Sequence, residues 1–177
     1  SSTRQCTPSP AGTTCAAAPR SSLGTRRFGC PQPASSARPT RRPLYRVLGV
    51  AVASETIARE VGLRDTSMIF LAGLVHDIGK LAHFHIAKEA WLTICQHAQT
   101  NGFTILESER ALDMVSHDAL GYELVRQWQL PLIIQEVVQR HHSAENSTAA
   151  TQVGAHPQAV GIVYLANLLV HSMKFGS

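Results

Sequence analysis

The segment Phe70-Leu-Ala-Gly-Leu-Val-His-Asp-Ile-Gly-Lys80 is the most informative part of this chain. Its first six residues, together with Met68 and Ile69 before them, are apolar on most sides of a helix, which is typical of a helix buried at the centre of a bundle. A carboxylate in such surroundings costs free energy unless it is paired or binds a cation. Asp77 is therefore the residue around which the sequence predicts a functional site.

Apolar residues recur at steps of three and four on both sides of this segment, as in amphipathic helices. Residues that favour helix ends separate the periodic stretches: Gly62, Asp65, Thr66, Asn101, Gly102, Ser116, Pro131 and Pro157. The sequence contains neither an alternating stretch of strand length nor an internal repeat. We therefore predict an all-α fold, a bundle of six or seven helices within residues 44–177.

Residues 1–43 differ from the rest in composition. They hold seven of the nine prolines, three of the four cysteines and seven arginines, and they contain no acidic residue and no histidine. Their charge of +7 leaves −3 for residues 44–177, because the whole chain has a formal charge of +4. So few large apolar side chains cannot offset the chain entropy, which predicts a disordered basic tail. The alternative is that a mis-assigned start or a shifted reading frame produced this stretch.

Neither a membrane span nor a secretion signal is predicted. An apolar run of about 18 residues is missing from the sequence, and no apolar core of a signal peptide follows the early arginines. Cys6, Cys15 and Cys30 lack the paired spacing of a zinc site, and Cys95 stands alone in a helical pattern. We therefore expect reduced thiols and a cytoplasmic location.

Two further segments carry histidines near predicted helix ends. His117-Asp118 follows His76-Asp77 by about 40 residues, and His141-His142 follows it by about 65. Imidazole and carboxylate suit divalent first-row metals. Each doublet alone also fits a favourable interaction with a helix dipole or, for a core histidine, a hydrogen bond to a backbone carbonyl. We assign the remaining histidines to surface or loop positions: His83, His85, His97, His156 and His171.

The order of these segments carries a family resemblance. Residues 70–80 resemble the HD signature of metal-dependent phosphohydrolases. Three more segments resemble the HDOD family: Ile57-Ala-Arg-Glu-Val-Gly-Leu63, His117-Asp-Ala-Leu-Gly-Tyr-Glu-Leu-Val-Arg-Gln-Trp-Gln-Leu-Pro131 and Val163-Tyr-Leu-Ala-Asn-Leu168. The resemblance covers nearly all of residues 44–177 and implies a helical bundle of the HD superfamily.

The resemblance also implies a set of metal ligands. Catalytically complete relatives, including the HD-GYP phosphodiesterases, hold metals with a first-helix histidine, the HD doublet, a later histidine, a histidine pair and a last-helix aspartate. The positions matching the middle of this set are His76, Asp77, His117, His141 and His142. The two ends differ, since Arg46 or Val47 stands at the first position and Asn167 at the last, and no Gly-Tyr-Pro motif follows His142.

These departures imply an eroded site that keeps one divalent metal, Mn, Fe or Mg, with Asn167 as a weak ligand. The resemblance then implies a bacterial, cytoplasmic output or interaction domain that binds signalling proteins. The alternative is a metal-dependent phosphohydrolase or phosphodiesterase acting on a nucleotide or another phosphoester. In that enzyme Asp77 bridges or orients the metal, and Lys80 offsets charge on the phosphoryl group. Nucleic-acid binding through the basic tail is a weaker hypothesis, because the domain itself is negatively charged.

Overall fold

The structure is a computed structural model that describes residues 42–142 and 154–173, with side chains from Leu44 onward. The predicted tail therefore lies outside the described residues, apart from its last two. The described part contains eight α-helices and no strand, which confirms the all-α class. The helices are α1 (Arg42–Glu60), α2 (Thr66–Val75), α3 (Ile78–Ile86), α4 (Lys88–Asn101), α5 (Ile105–Ala111), α6 (His117–Gln127), α7 (Leu132–Arg140) and α8 (Pro157–Ser172).

Helix α2 lies at the centre of the bundle, as its composition predicts. It packs against α1, α7 and α8. Side chains from these helices form the main core, in which Ile69, Val137 and Val163 are almost fully buried. Burial of this apolar surface is the main favourable contribution to the stability of the bundle.

Several helix ends follow the local signals of the sequence. The Asp65 carboxylate accepts a hydrogen bond from the backbone N–H of Met68 at 3.2 Å and thereby caps α2. Gly62 and Gly102 follow α1 and α4 with φ angles of 77° and 69°, which glycine adopts without steric cost. Pro157 begins α8, where a missing N–H costs nothing.

Helix α3 is the element that the sequence pattern did not resolve. We placed a single break near Gly79 and the next helix from Ile86, whereas the structure has a helix across Ile78–Ile86. The doublet His76-Asp77 fills the junction between α2 and α3. Asp77 has φ −101° and ψ 16°, outside the helical region, so its carboxylate lies at a helix terminus and not within a helix.

A second, smaller core lies between α4 and α5, around Trp91, Ile94 and Ile105. Cys95 is buried in this core. Among the helices described, none combines the length and the apolar character that a membrane crossing requires.

Candidate metal centre

Three helix termini meet at one place in the bundle. The α2–α3 junction supplies His76 and Asp77, the first residue of α6 is His117, and the doublet His141-His142 directly follows α7. The structure therefore brings together all five positions that the resemblance indicates as metal ligands.

Close packing of α3 against α6 makes this approach possible. A Cβ on Gly79 would overlap the backbone carbonyl of His117, and one on Gly121 would lie 2.9 Å from Val138 Cγ1 and 3.1 Å from Gly79 N. Only residues without a side chain allow the two helices to approach so closely. This contact places the start of α6 beside the α2–α3 junction.

The Asp77 carboxylate is the centre of the cluster. Its Oδ1 lies 3.6 Å from His117 Nε2 and 3.4 Å from His141 Nε2, while its Oδ2 lies 3.4 Å from His76 Nε2. His142 Nε2 lies 2.9 Å from His117 Nε2. One donor atom from each of Asp77, His117, His141 and His142 lies within 4.8 Å of all the others, an arrangement that could hold a metal ion.

Backbone contacts fix the tautomers of two of these histidines. His76 Nδ1 lies 2.7 Å from the carbonyl oxygen of Gly73, and His141 Nδ1 lies 2.9 Å from that of Val138. A carbonyl oxygen can only accept, so both Nδ1 atoms carry the hydrogen. Each Nε2 therefore directs its electron pair toward Asp77, as in metal-ligating histidines held by a second hydrogen bond.

The atoms that face one another in this cluster lack partners. His76 Nε2, His141 Nε2 and Asp77 Oδ1 are buried, and within the described part of the chain none of them has a hydrogen-bond partner. Buried acceptors without a donor are rare and costly. A cation between Asp77 Oδ1 and His141 Nε2 would satisfy both of these atoms, and a set of imidazoles with one carboxylate suits a divalent first-row metal. The residues present thus fit a metal ion.

Three histidines of the cluster, His76, His117 and His142, are in the neutral form that metals require. Burial, assisted by His141 and Lys80 and opposed by the charge of Asp77, lowers the pKa of His76 to about 4. Burial likewise holds the pKa of His117 and that of His142 well below their usual range. Neutral imidazole is the ligating form, so these side chains need not lose a proton at neutral pH before a metal binds.

Lys80 occupies one side of the Asp77 carboxylate. Its Nζ lies 2.7 Å from Oδ2, so Oδ1 is the oxygen left toward His117 and His141. Burial alone would raise the pKa of Asp77, but the charge of Lys80 and the interactions with the imidazoles of His76 and His141 outweigh it and lower that pKa well below its usual range. Asp77 is therefore a carboxylate at all ordinary pH values.

Sequence reasoning missed one carboxylate beside the cluster. Glu109 of α5 is fully buried, and its Oε2 lies 2.8 Å from His117 Nδ1 and accepts the backbone N–H of His117 at 3.1 Å. Burial raises the pKa of Glu109 to about 7. A signal was present, because Glu109 follows the buried Ile105 and Leu106 by four and three residues and so lies on the apolar face of α5.

His83 is also not where we expected it. It is only 6 % exposed, and its Nε2 donates to the carbonyl oxygen of Val115 at 2.7 Å. The surface or loop position assigned to His83 is therefore wrong. The side chain supports the segment that leads into α6.

The two ends of the expected ligand set lie on α1 and α8. Arg46 Nε and Asn167 Oδ1 are both buried and have no hydrogen-bond partner among the residues with described side chains. Burial lowers the pKa of Arg46, and the charge of Asp77 opposes this shift. Burial and the charges of Arg46 and Lys80 lower the pKa of His171 to about 4. In the described residues, no imidazole or carboxylate from α1 or α8 joins the four-residue group.

The fold and the site together define a class of protein. Its members are all-α domains in which a histidine–aspartate doublet lies at a helix junction and other helix termini bring imidazoles to the carboxylate. Within that class, residues 36–144 match the family model of the HDOD domain. Because the match covers more than half of the chain, this chain belongs to the HDOD domain family.

Two solved structures have a similar fold. An HDOD domain protein of unknown function from Geobacter sulfurreducens matches with a TM-score of 0.68 and 25 % identity, over 77 % of this chain and 45 % of that one. A candidate phosphohydrolase from Shewanella amazonensis SB2B matches with a TM-score of 0.63 and 16 % identity, over 80 % and 50 %. The chain thus spans about half the length of either protein. Comparison with curated proteins gave no match.

Proposed function

We propose that this chain is a signalling output or interaction domain that binds one divalent cation, Mn, Fe or Mg, through Asp77, His117, His141 and His142. His76 contributes a fifth donor atom on the far side of the carboxylate. The observation that carries this proposal is the convergence of one donor atom from each of these four residues, of which Asp77 Oδ1 and His141 Nε2 are buried without a hydrogen-bond partner among the described residues. The cation orders three helix termini, so metal binding stabilises one arrangement of the bundle.

A single cation fits the charges around Asp77 better than a pair. Lys80 already contacts Asp77 Oδ2, and Arg46 interacts electrostatically with the same carboxylate. A second divalent cation would therefore meet two fixed positive charges in a partly buried site. Asn167 offers a neutral oxygen where a two-metal site needs a charged ligand. These charges and ligands favour a regulatory role, in which one bound metal orders the bundle, over catalytic turnover.

The family resemblance supports the rest of the proposal. We place the domain in the bacterial cytoplasm, where it binds signalling proteins and neither membrane nor nucleic acid. The net charge of −3 on residues 44–177 gives no support to nucleic-acid binding by the domain. We also treat residues 44–177 as one unit, preceded by a tail that this role does not need.

Elemental analysis tests the metal proposal directly. The protein is purified without chelator, and we expect about one equivalent of Mn or Fe per chain. Asp77→Asn removes the central charge and should weaken Mn²⁺ binding at least ~100-fold, as measured by calorimetry. Asp113→Asn is the matched control, since Asp113 is exposed and asparagine tolerates its φ of 52°. Two equivalents would contradict a single-metal site, and no binding by the wild type would reject the proposal.

A second candidate function is phosphoester hydrolysis. It is favoured by the contact of Lys80 with Asp77, because an ammonium beside a metal-binding carboxylate is well placed to offset charge on a phosphoryl group. The fold shared with the Shewanella amazonensis protein is compatible with it. A bound divalent cation would supply Lewis acidity, while Asp77 and Lys80 would bind and orient the phosphoester.

A phosphodiesterase assay with Mn²⁺ separates the two functions. Turnover that Asp77→Asn and Lys80→Met abolish, and that Asp113→Asn retains, would establish an enzyme. Equal background rates in all four proteins, with metal bound to the wild type, would leave the signalling role as the function of this site.

A further inference from the structure

Glu109 is the one fully buried carboxylate in the described part of the chain that is not itself in the metal-ligand group. Both of its short contacts go to the same residue through the same oxygen. Oε2 accepts the backbone N–H of His117 at 3.1 Å and lies 2.8 Å from Nδ1 of the His117 ring. The backbone and the side chain of His117 are thus held from one point.

The backbone contact replaces a helix cap. His117 is the first residue of α6, and Ser116 at the N-cap position makes no side-chain cap hydrogen bond. The first N–H groups of a helix need an acceptor, and a negative charge near them is favourable. Glu109 reaches across from α5 to supply both, and it thereby fixes where α6 begins.

The side-chain contact determines which nitrogen faces the cluster. With Nδ1 directed to Glu109, the other ring nitrogen lies 3.6 Å from Asp77 Oδ1 and 2.9 Å from His142 Nε2. A carboxylate that accepts from Nδ1–H leaves the electron pair of Nε2 available to a cation.

We propose that Glu109 is a positioning residue, which holds His117 in the Nδ1–H tautomer and directs its Nε2 at the metal site. The part that concerns metal affinity rests on the function proposed above. The part that concerns the tautomer does not, because it is a property of the metal-free protein.

Capping of α6 alone does not explain why the residue at this position is a glutamate. Glu109 Oε1 is buried and has no hydrogen-bond partner among the described residues, although His83 Nε2 lies 3.8 Å away. Burying a carboxylate with one oxygen unsatisfied is costly, and a serine or glutamine could accept one backbone N–H without that cost. The charge is directed at the imidazole, where it raises the basicity of the ligand.

The test uses Glu109→Gln, which is nearly isosteric and removes only the charge. Its matched control is Glu107→Gln on the same helix, since Glu107 is exposed and glutamine also completes the capping box with Thr104. We expect Mn²⁺ affinity to fall at least ~10-fold in Glu109→Gln and to stay at the wild-type value in Glu107→Gln. Circular dichroism confirms that both variants are folded.

Long-range ¹H–¹⁵N correlation spectra of the metal-free wild type give the independent readout. We expect the His117 signals of an Nδ1–H tautomer. An Nε2–H tautomer, or unchanged Mn²⁺ affinity in folded Glu109→Gln, would overturn the positioning role. If the wild type binds no Mn²⁺ but His117 shows the Nδ1–H tautomer, the proposed function fails and the role of Glu109 stands. If Glu109→Gln does not fold, the wild-type spectrum alone decides.

Discussion

The two sides of the Asp77 carboxylate differ in charge. On one side, the termini of α6 and α7 present imidazoles: burial lowers the pKa of His117 and that of His142, and the Nε2 atoms of His117 and His141 lie 3.6 and 3.4 Å from Asp77 Oδ1. On the other side, α1 and α8 present the Arg46 guanidinium and the His171 imidazole, whose pKa the positive charges nearby help to lower. One side of the site is thus a ligand set, and the other already carries positive charge.

Under the proposed function, this difference would explain how the site keeps its shape while the α1 and α8 ligands of the family are replaced. The helix contacts that create the α6–α7 side belong to the main fold, because they depend on the Gly79–Gly121 approach and on backbone hydrogen bonds. The α1–α8 side depends on single side chains. We therefore expect that replacing those side chains changes the number of cations that the site accepts and leaves the bundle intact.

The largest effect should come from Gly79→Ala, which disrupts the close contact between α3 and α6 that positions the imidazoles of the site. A Cβ there overlaps the His117 carbonyl, so α3 and α6 must separate. We expect a loss of more than about 3 kcal/mol in the free energy of unfolding, together with loss of Mn²⁺ binding. Chemical denaturation and calorimetry measure the two effects.

Gly161→Ala in α8 is the control for that substitution, because no atom lies within 4 Å of its Cβ position. It should leave the protein as stable as the wild type or about 0.5 to 1 kcal/mol more stable. Equal stability of the two variants would show that the Gly79 contact does not hold the site together.

Acid should destabilise the metal-free protein, because buried histidines such as His76 take up protons more readily in the unfolded chain than in the folded one. The pKa of His76 is near 6.5 in the unfolded chain and about 4 in the folded one, so the unfolded state binds more protons between these values. The stability that His76 contributes is present above pH 6.5 and is lost as the pH falls toward 4, by about 3 kcal/mol. His117 and His142 act in the same direction. Glu109, with a pKa raised to about 7, acts in the opposite one.

Thermal unfolding at a series of pH values, with His76→Gln beside the wild type, isolates this contribution. We expect the wild type to lose stability more steeply than the variant between pH 6.5 and 4. Parallel curves would show that His76 is not held neutral in the folded protein.

A third prediction compares one histidine from each side. His141→Leu removes a donor atom and should weaken Mn²⁺ binding about 100-fold, which corresponds to about 2.7 kcal/mol. The metal-free protein should lose little stability, because the substitution also removes a buried Nε2 without a partner. His171→Leu should leave the Mn²⁺ affinity within about threefold of the wild type. Equal losses in both variants would remove the distinction between the two sides.

The sequence was sufficient for the fold class, because helical periodicity and end signals such as Asp65 and Pro157 act locally. It was also sufficient for the family, since four motifs occur in order. It could not give helix α3, which packs against α6 in a contact between segments distant in the sequence. Nor could it give Glu109 as a partner of His117, because this contact depends on how the consecutive helices α5 and α6 are oriented. The burial of His83 was missed because its contact with Val115 joins residues that are distant in the sequence.

The smallest change should come from introducing, on α1 and α8, the two metal ligands that the family resemblance leads us to expect there. Arg46→His combined with Asn167→Asp replaces a fixed cation with an imidazole and a neutral amide with a carboxylate, the two groups that the family resemblance expects. Metal content should rise from about one to about two equivalents, with the second bound more weakly than the first. Asn167→Asp alone is the intermediate control and should bind about one, because the Arg46 guanidinium then pairs with the new carboxylate. A double variant that still binds one equivalent would mean that something other than Arg46 and Asn167 keeps the second cation out. The charge difference between the two sides would then not be the cause of the single-metal site.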